Sequence, residues 1–309
     1  IFFFKVVPTI IFVAVLVNIL YHIGLMQRVV AVMAKGMKWL MGVSGAEAVS
    51  NVASTFVGQV EAQIMIKPYL KGMTNSELLA SMTGSFACIA GGVMATYIAL
   101  GVPAQYLLAA SIMAAPGALV ISKIMFPETE KSETEGEVKL ELSKTHANLV
   151  DAIAAGASEG LKVGLNVIAM LIGFIALIAL VDLGLGHIGA WVNYPELSMN
   201  TILGKLFSVF AFAMGVPAQD IEVAGALMGK KMVVNEFVAY LDMVHLKATL
   251  DPKTIAITSF ALCGFANFSS VAIQIGGIGE LAPTRRSDLA KLGFKALIAG
   301  TLASYLSAT

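Results

Sequence analysis

The sequence predicts an all-α integral membrane protein with inverted structural repeats, two re-entrant helical hairpins and discontinuous transmembrane helices. Three observations support this fold class. Of the 309 residues, 58% are hydrophobic and 13% are charged, whereas soluble globular chains average about 25% charged residues. Long runs lack any charge, and a set of sequence landmarks occurs twice. Soluble enzymes and secreted mini-domains are thereby excluded.

Charge and cysteine content exclude other classes. The formal net charge is zero, which gives no reason to expect nucleic acid as a partner. Cys88 and Cys263 lie alone in apolar runs and the four histidines show no ligand spacing, so we expect neither a metal site nor a disulfide framework. The first residue is Ile1 and an apolar run ends abruptly at Thr309. We therefore expect the chain to be incomplete at both ends.

Several segments are long enough to cross a bilayer, which takes about 20 apolar residues. The first span is predicted within residues 6–27. Residues 78–122 carry no charge and are interrupted by Gly101-Val102-Pro103, which predicts two spans joined by a turn. The remaining predicted spans are residues 163–181, residues 254–279 and a last helix that starts near Asp288.

Two apolar segments contain an interior carboxylate: residues 48–66 with Glu61 and residues 224–241 with Glu236. A charge at mid-membrane costs about 2.5 to 3.5 kcal/mol even on a lenient scale, so neither segment can face lipid. Both are predicted to be re-entrant hairpins that line a cavity, and Gly58 allows the first to turn. Residues 28–40 and 197–214, which precede them, are predicted to be amphipathic surface helices.

An internal repeat relates the two halves. Met41-Gly42-Val43 recurs as Met214-Gly215-Val216, and Ser85-Phe86-Ala87 recurs as Ser259-Phe260-Ala261. These pairs, like Glu61 and Glu236, are separated by about 174 residues. We therefore predict a first repeat at 1–125, a charged loop at 126–146 and a second repeat at 147–309. Each repeat has a span, a surface helix, a hairpin and two spans; three crossings per repeat invert the second copy, as in many secondary transporters.

Lysine and arginine residues concentrate on one predicted face, which the positive-inside rule assigns to the cytoplasm of a multi-pass protein of the cell (inner) membrane. This places the charged loop in the cytoplasm. Its glutamates and lysines cannot bury a core, so we expect a solvated connector.

The inverted hairpins should bring Gln59 and Glu61 close to Glu236, and Asn267 and Ser270 share a helix face. Carboxylates, amides and a hydroxyl suit an uncharged ligand rich in hydroxyl and amide groups, such as a sugar or a nucleoside. Two other interpretations stay open. Asn267 and Ser270 could join helices, and Gly91-Gly92 could serve close helix packing.

The motifs that carry chemistry are Gly58-Gln59-Val60-Glu61, Asn235-Glu236-Phe237-Val238-Ala239-Tyr240 and Phe260-Ala261-Leu262-Cys263-Gly264-Phe265-Ala266-Asn267. With 109–117 and 126–130, they make the chain resemble the concentrative nucleoside transporters over essentially its whole length. The resemblance implies a non-enzymatic symporter that imports nucleosides across the lipid bilayer without a cofactor. It also implies a homotrimer in which a transport domain moves like an elevator against a scaffold.

The resemblance also implies which residues bind the two parts of a nucleoside. For the nucleobase they are Gln59, Glu61, Val60 and Val93. For the ribose they are Glu236, Asn267 and Ser270, with Phe265 beside the ligand.

Three positions depart from the sodium-coupled pattern of the family. Val60 replaces a hydroxyl residue beside the base, Ser54 replaces an Asn ligand, and Cys88 replaces a Ser ligand. Since hard cations prefer oxygen to a thiol, the sodium site is weakened, although backbone carbonyls at Val57 and Ile89 remain.

We therefore favour the proton as the coupling ion, with Glu61 or Glu236 as the carrier, and keep Na⁺ as the alternative. More distant alternatives are an intramembrane hydrolase, for which the sequence has no His-Glu-x-x-His motif, and a passive channel.

Overall fold

A computed structural model describes residues 2–134 and 146–309, which are helical, with no strand in these ranges. The first half contains α1 (Phe2–His22), α2 (Leu25–Met41), α3 (Gly45–Ser54), α4 (Glu61–Ile64), α5 (Asn75–Ala87), α6 (Gly91–Leu100) and α7 (Ala104–Met125). The second half contains α8 (Leu149–Trp191), α9 (Met199–Ala213), α10 (Ile221–Val233), α11 (Glu236–Leu246), α12 (Pro252–Leu262), α13 (Phe268–Leu281) and α14 (Arg286–Ala308). The same order of elements thus occurs twice.

Helix α2 leaves the direction of α1 at a bend of 74°. Gly24, with φ +76°, forms the corner between them. The helix buries Gln27, Val30 and Ala34 on one side and exposes Trp39 and other apolar residues on the other. This geometry fits the predicted amphipathic surface helix, which begins three residues earlier than the sequence pattern indicates.

The first predicted hairpin is formed by α3 and the single-turn helix α4. A capping box of Ser44 and Glu47 starts α3, and the chain is non-helical over residues 55–60 before α4 begins at Glu61. A Cβ atom on Gly58 would lie 2.1 Å from Oε2 of Glu61, so the Glu61 side chain folds back over the turn. The second hairpin is formed by α10 and α11, and the Asn235 side chain caps α11 by accepting from the Val238 N–H.

Two of the predicted spans are broken near their middle. Residues 88–90 separate α5 from α6, and residues 263–267 separate α12 from α13. Discontinuous helices are confirmed, and the predicted span 254–279 contains one of the breaks. Gly264 has φ +134°, a conformation that side chains strongly disfavour. The predicted turn at Gly101, which has φ +110°, is confirmed.

Helix α8 has 43 residues and is about 64 Å long at 1.5 Å per residue. The predicted span, 163–181, is only its middle. The charged residues before it, Asp151, Glu159 and Lys162, belong to the same helix. Its first half packs on α1 through glycines four residues apart: a Cβ on Gly156 or Gly160 would lie 2.7 or 2.6 Å from an α1 Cα atom.

Within the described ranges, three helical stretches are long and apolar enough to cross a membrane: Asn75–Leu100, Ala104–Met125 and Pro283–Ala308. The bent pair α1–α2 makes a fourth if it counts as one span. Six spans were expected; α12 and α13 are too short individually, with 11 and 14 residues.

The charged loop is described only up to residue 134, and 135–145 lie outside the described residues. Its first part is not a purely solvated connector. Ser132 and Thr134 are buried, and both hydroxyls donate to Glu77 at the start of α5. The Gly45 N–H donates to the Thr134 carbonyl at 2.8 Å, which joins the loop to α3.

Candidate binding site

The two helix breaks lie against each other. The Phe265 N–H donates to the Cys88 carbonyl at 3.3 Å. A Cβ on Gly264 would lie 2.7 Å from the carbonyl oxygens of Phe86 and Ala87, so only glycine permits this approach. The first hairpin joins the same place because the Gly91 N–H donates to the Phe56 carbonyl at 3.1 Å. Elements from both halves of the chain therefore meet around the non-helical backbone of the two breaks.

Glu236 lies at the first position of α11, and only 5% of the residue is exposed. Its carboxylate accepts hydrogen bonds from the Tyr97 hydroxyl at 2.8 Å and from Asn267 Nδ2 at 3.2 Å. The N-terminal end of a helix stabilises a negative charge. The buried carboxylate is thus supported by its own helix, by α6 and by the second break.

Asn267 caps α13, and its Oδ1 accepts from the Ser270 N–H at 2.9 Å and from the Ser269 hydroxyl at 2.7 Å. Across the repeat boundary, Gln59 Nε2 donates to Ser270 Oγ at 3.4 Å. Predicted residues Glu236, Asn267, Ser270 and Gln59 therefore form one polar group between the hairpins, which we call the polar bridge.

The structure places the other predicted ligand residues around this bridge. Val93 and Phe265 are partly buried in one apolar cluster, together with Tyr97. Val60 packs on α13, where a Cβ on Gly277 would lie 2.5 Å from Val60 Cγ2. Glu61 is exposed at the start of α4. Among the described residues, no hydrogen bond joins Glu61 to the polar bridge.

The four predicted cation-site residues cluster between the first hairpin and the end of α5, and all are buried. The Ser54 hydroxyl donates to the Ser50 carbonyl at 2.8 Å and lies 3.2 Å from Ser85 Oγ. Cys88 Sγ lies 3.7 Å from Thr55 Oγ1; Val57 and Ile89 lie in the non-helical segments 55–60 and 88–90. The Ser54 hydroxyl hydrogen is thus engaged by protein oxygen.

Tyr97 and Gln274 also contact the polar bridge, and the sequence interpretation missed both. Gln274 Nε2 lies 3.4 Å from Gln59 Oε1. Each residue follows a predicted ligand by four positions, Tyr97 after Val93 and Gln274 after Ser270, so helical spacing could have identified them. Residues 2–134 and 146–309 hold no group of three or more His, Cys, Asp or Glu suited to a metal.

Comparison with known proteins identifies the family. The family model described as "Na+ dependent nucleoside transporter C-terminus" matches residues 106–309, and the model "Nucleoside recognition" matches residues 3–104. The chain belongs to the concentrative nucleoside transporter family. An uncharacterized transporter of Haemophilus influenzae is 48% identical over 100% of this chain and 75% of its own length.

Two further relatives of the transporter family are informative. The nucleoside permease NupC of Helicobacter pylori is 40% identical over 100% of this chain and 74% of its own length. The structure of CNTnw in an inward-facing substrate-bound state has a TM-score of 0.94 and 43% identity, covering 100% of this chain and 74% of that chain. These relatives are transporters and permeases rather than enzymes, so the hydrolase alternative is dropped.

Proposed function

We propose that this chain imports nucleosides by proton-coupled symport and binds them at the polar bridge. One observation carries the proposal. A continuous set of hydrogen bonds from Glu236 to Gln59 joins both hairpins where the two helix breaks meet. A ligand held there contacts elements from both repeats, which alternating access across a membrane requires.

The bridge provides complementary groups for the two parts of a nucleoside. Glu236, Asn267 and Ser270 bind the ribose hydroxyls, with Phe265 beside the sugar, since hydrogen bonds to a carboxylate are about twice as strong as neutral ones. Toward the first hairpin, the base binds Gln59 and Glu61 and packs on Val60 and Val93.

Proton coupling is favoured by the chemistry of the first break. Cys88 offers a thiol, a poor ligand for a hard cation, and its sulfur lies 3.7 Å from Thr55 Oγ1. A proton needs only a carboxylate, and Glu61 and Glu236 are the candidate carriers. Sodium coupling through Ser54 and the carbonyls of Val57 and Ile89 is the second candidate, favoured by the sodium-dependent description of the matching family model.

Uptake into proteoliposomes tests function and coupling together. We would measure radiolabelled uridine and adenosine uptake by the full-length protein under a pH gradient alone and under a sodium gradient alone. Accumulation driven by the pH gradient is the expected result. Accumulation with sodium only would overturn proton coupling, flux without accumulation would indicate a passive channel, and lack of uptake under both gradients would refute nucleoside transport.

The carrier is identified by replacing each carboxylate separately. Glu61→Gln or Glu236→Gln should abolish pH-driven accumulation, while nucleoside exchange at equal pH continues if binding survives. Persistence of pH-driven accumulation in both variants would exclude both residues as carriers.

The oligomeric state and the transport motion are also part of this proposal. We propose a homotrimer in the inner membrane, with repeats 1–125 and 147–309 and an elevator-like motion of the hairpins against α1 and α8. The long α8 supports this, because it continues beyond α1 with an exposed apolar surface that includes Ile172 and Leu180. Mass measurement in detergent by light scattering tests the trimer directly.

A further inference from the structure

Lys231 is a buried cation that the binding site does not account for. It lies in the last turn of α10 and is 1% exposed. Its Nζ donates to the Ala261 carbonyl at 2.8 Å and to Ser304 Oγ at 3.2 Å. No carboxylate of the described residues forms an ion pair with it within 4.0 Å. A buried ammonium without an ion-pair partner requires a physical reason.

The reason lies at the end of α12. A helix that stops leaves its last carbonyls without partners and carries a partial negative charge there. Here side chains satisfy those carbonyls: the Tyr240 hydroxyl donates to the Ser259 carbonyl at 2.7 Å, Lys231 donates to that of Ala261, and Ser304 donates to that of Cys263 at 2.9 Å. Tyr240 and Lys231 both come from the second hairpin.

The first break is built differently. Helix α5 ends at Ala87, and the side chains that meet there are uncharged: Ser54, Thr55, Ser85 and Cys88. Both breaks therefore present the negative end of a helix to a hairpin. In the described residues, the contacts of the second break include a lysine ammonium, whereas those of the first are neutral.

We propose that Lys231 is a tethered cation that holds the second hairpin against the end of α12 without an ion from solution. Five residues later in the chain, Glu236 begins α11, so Lys231 also fixes the position of that carboxylate. Lys231 is a positioning residue, since it acts through the hairpin. Its consequence for transport rests on the proposed function, but the anchoring itself does not.

Replacing the tether by a free cation tests the proposal. In Lys231→Ala the side chain is removed and leaves space beside the Ala261 carbonyl. We would measure the melting temperature of the full-length protein in detergent with increasing methylammonium chloride, and with tetramethylammonium chloride at equal ionic strength. The expected result is a rise of several degrees with methylammonium only, because tetramethylammonium has no N–H to donate.

Two other variants serve as controls. Lys231→Met fills most of the space without a charge and should melt below wild type with no response to methylammonium. Lys247→Ala removes an exposed lysine that donates to the Gly101 carbonyl at 3.0 Å, and it should show no response either. An equal response in wild type, in Lys231→Ala and in Lys247→Ala would overturn the proposal, as would a Lys231→Ala protein that ignores both salts.

If Lys231→Ala cannot be purified, hydrogen exchange measured on Lys231→Met tests the proposed tether instead. Loss of protection confined to residues 259–266 and the second hairpin is expected, and wild-type protection there would refute the tether. Because neither readout involves transport, wild-type protein that fails to take up nucleosides would sink the proposed function and leave this inference standing.

Discussion

The Tyr97 hydroxyl donates to the Glu236 carboxylate at 2.8 Å, which links the helix after the first break to the tip of the second hairpin. The two residues are 139 positions apart in the chain. The hydrogen bond holds the buried carboxylate in one orientation, so a ligand that binds Glu236 also depends on α6.

Tyr97→Phe should therefore weaken nucleoside binding. A hydrogen bond to a charged group contributes about 1.5 to 3 kcal/mol. Because this bond already exists before the ligand binds, only part of that energy enters the binding free energy, and we expect about a tenfold rise in Kd, or about 1.4 kcal/mol. Isothermal titration with uridine measures it. Tyr106→Phe is the matched control, since Tyr106 contacts the Phe260 ring instead. Equal affinities for wild type and Tyr97→Phe would contradict the prediction.

The ribose assignment makes a separate prediction for substrate analogues. In wild type, removal of one ribose hydroxyl, as in 2′-deoxyuridine or 3′-deoxyuridine, should reduce affinity for at least one analogue by about tenfold or more, because Glu236 loses a charge-assisted bond. In Glu236→Gln, removal of the same hydroxyl from the ligand should reduce affinity much less. Competition against radiolabelled uridine gives four affinities for each analogue, because uridine and the analogue are each measured on wild type and on Glu236→Gln. Additive losses would show that Glu236 does not contact the missing hydroxyl.

Gly264→Ala should strongly destabilise the fold. The new Cβ would lie 2.7 Å from two carbonyl oxygens, in a backbone conformation with φ +134°. Backbone strain and overpacking each cost about 1 to 3 kcal/mol, so the melting temperature should fall clearly. Gly276→Ala is the control, because a Cβ there has nothing within 4 Å and alanine favours a helix. A stable, active Gly264→Ala protein would refute the close contact of the two breaks.

Lys123→Met should destabilise the opposite end of the first hairpin. Lys123 forms an ion pair with Glu47, which is 2% exposed, and donates to Ser76 Oγ at 2.8 Å. Breaking a buried pair costs about 3 to 5 kcal/mol, and we expect about 2 kcal/mol here, since the lysine is partly exposed and solvent screens its charge.

A second change distinguishes lost charge from lost packing. In Lys123→Met, adding Glu47→Gln should recover part of the stability, because the unpaired buried charge is removed. Lys131→Met, at an exposed position, should melt as wild type does. If the two substitutions were independent, the double variant would lose the sum of the stabilities lost by Lys123→Met and by Glu47→Gln. That result would argue against the ion pair.

The sequence was sufficient for the features that arise from charge and turn chemistry. Glu61 and Glu236 in apolar surroundings predicted both hairpins, and Gly101-Val102-Pro103 predicted the turn between α6 and α7. All four polar-bridge residues were among the predicted site residues, because a buried polar group in a membrane needs a partner. Glu61 itself is nearby but unbonded to the bridge among the described residues.

Hydropathy could not reveal the helix breaks or the length of α8. The break at 88–90 consists of Cys88, Ile89 and Ala90, which are as apolar as the helices around them, so an average over the span is unchanged. Their non-helical backbone is fixed by contacts with distant residues such as Phe265. The extent of α8 was missed because Asp151 and Glu159 interrupt the apolar run that marks a membrane span, whereas a helical backbone continues through charged residues.

The glycines of α8 have a consequence for how the helix tolerates change. On the face toward α1, a methyl group on Gly156 or Gly160 would meet main-chain atoms, which cannot rotate away as a side chain can. On the exposed surface farther along, Ile172 and Leu180 contact no such neighbour. A saturation library should therefore accept almost any apolar residue at the second pair of positions and almost none at the first. The size of the side chain permitted on the packed face is therefore set by the neighbour's backbone, whereas only polarity restricts the exposed face.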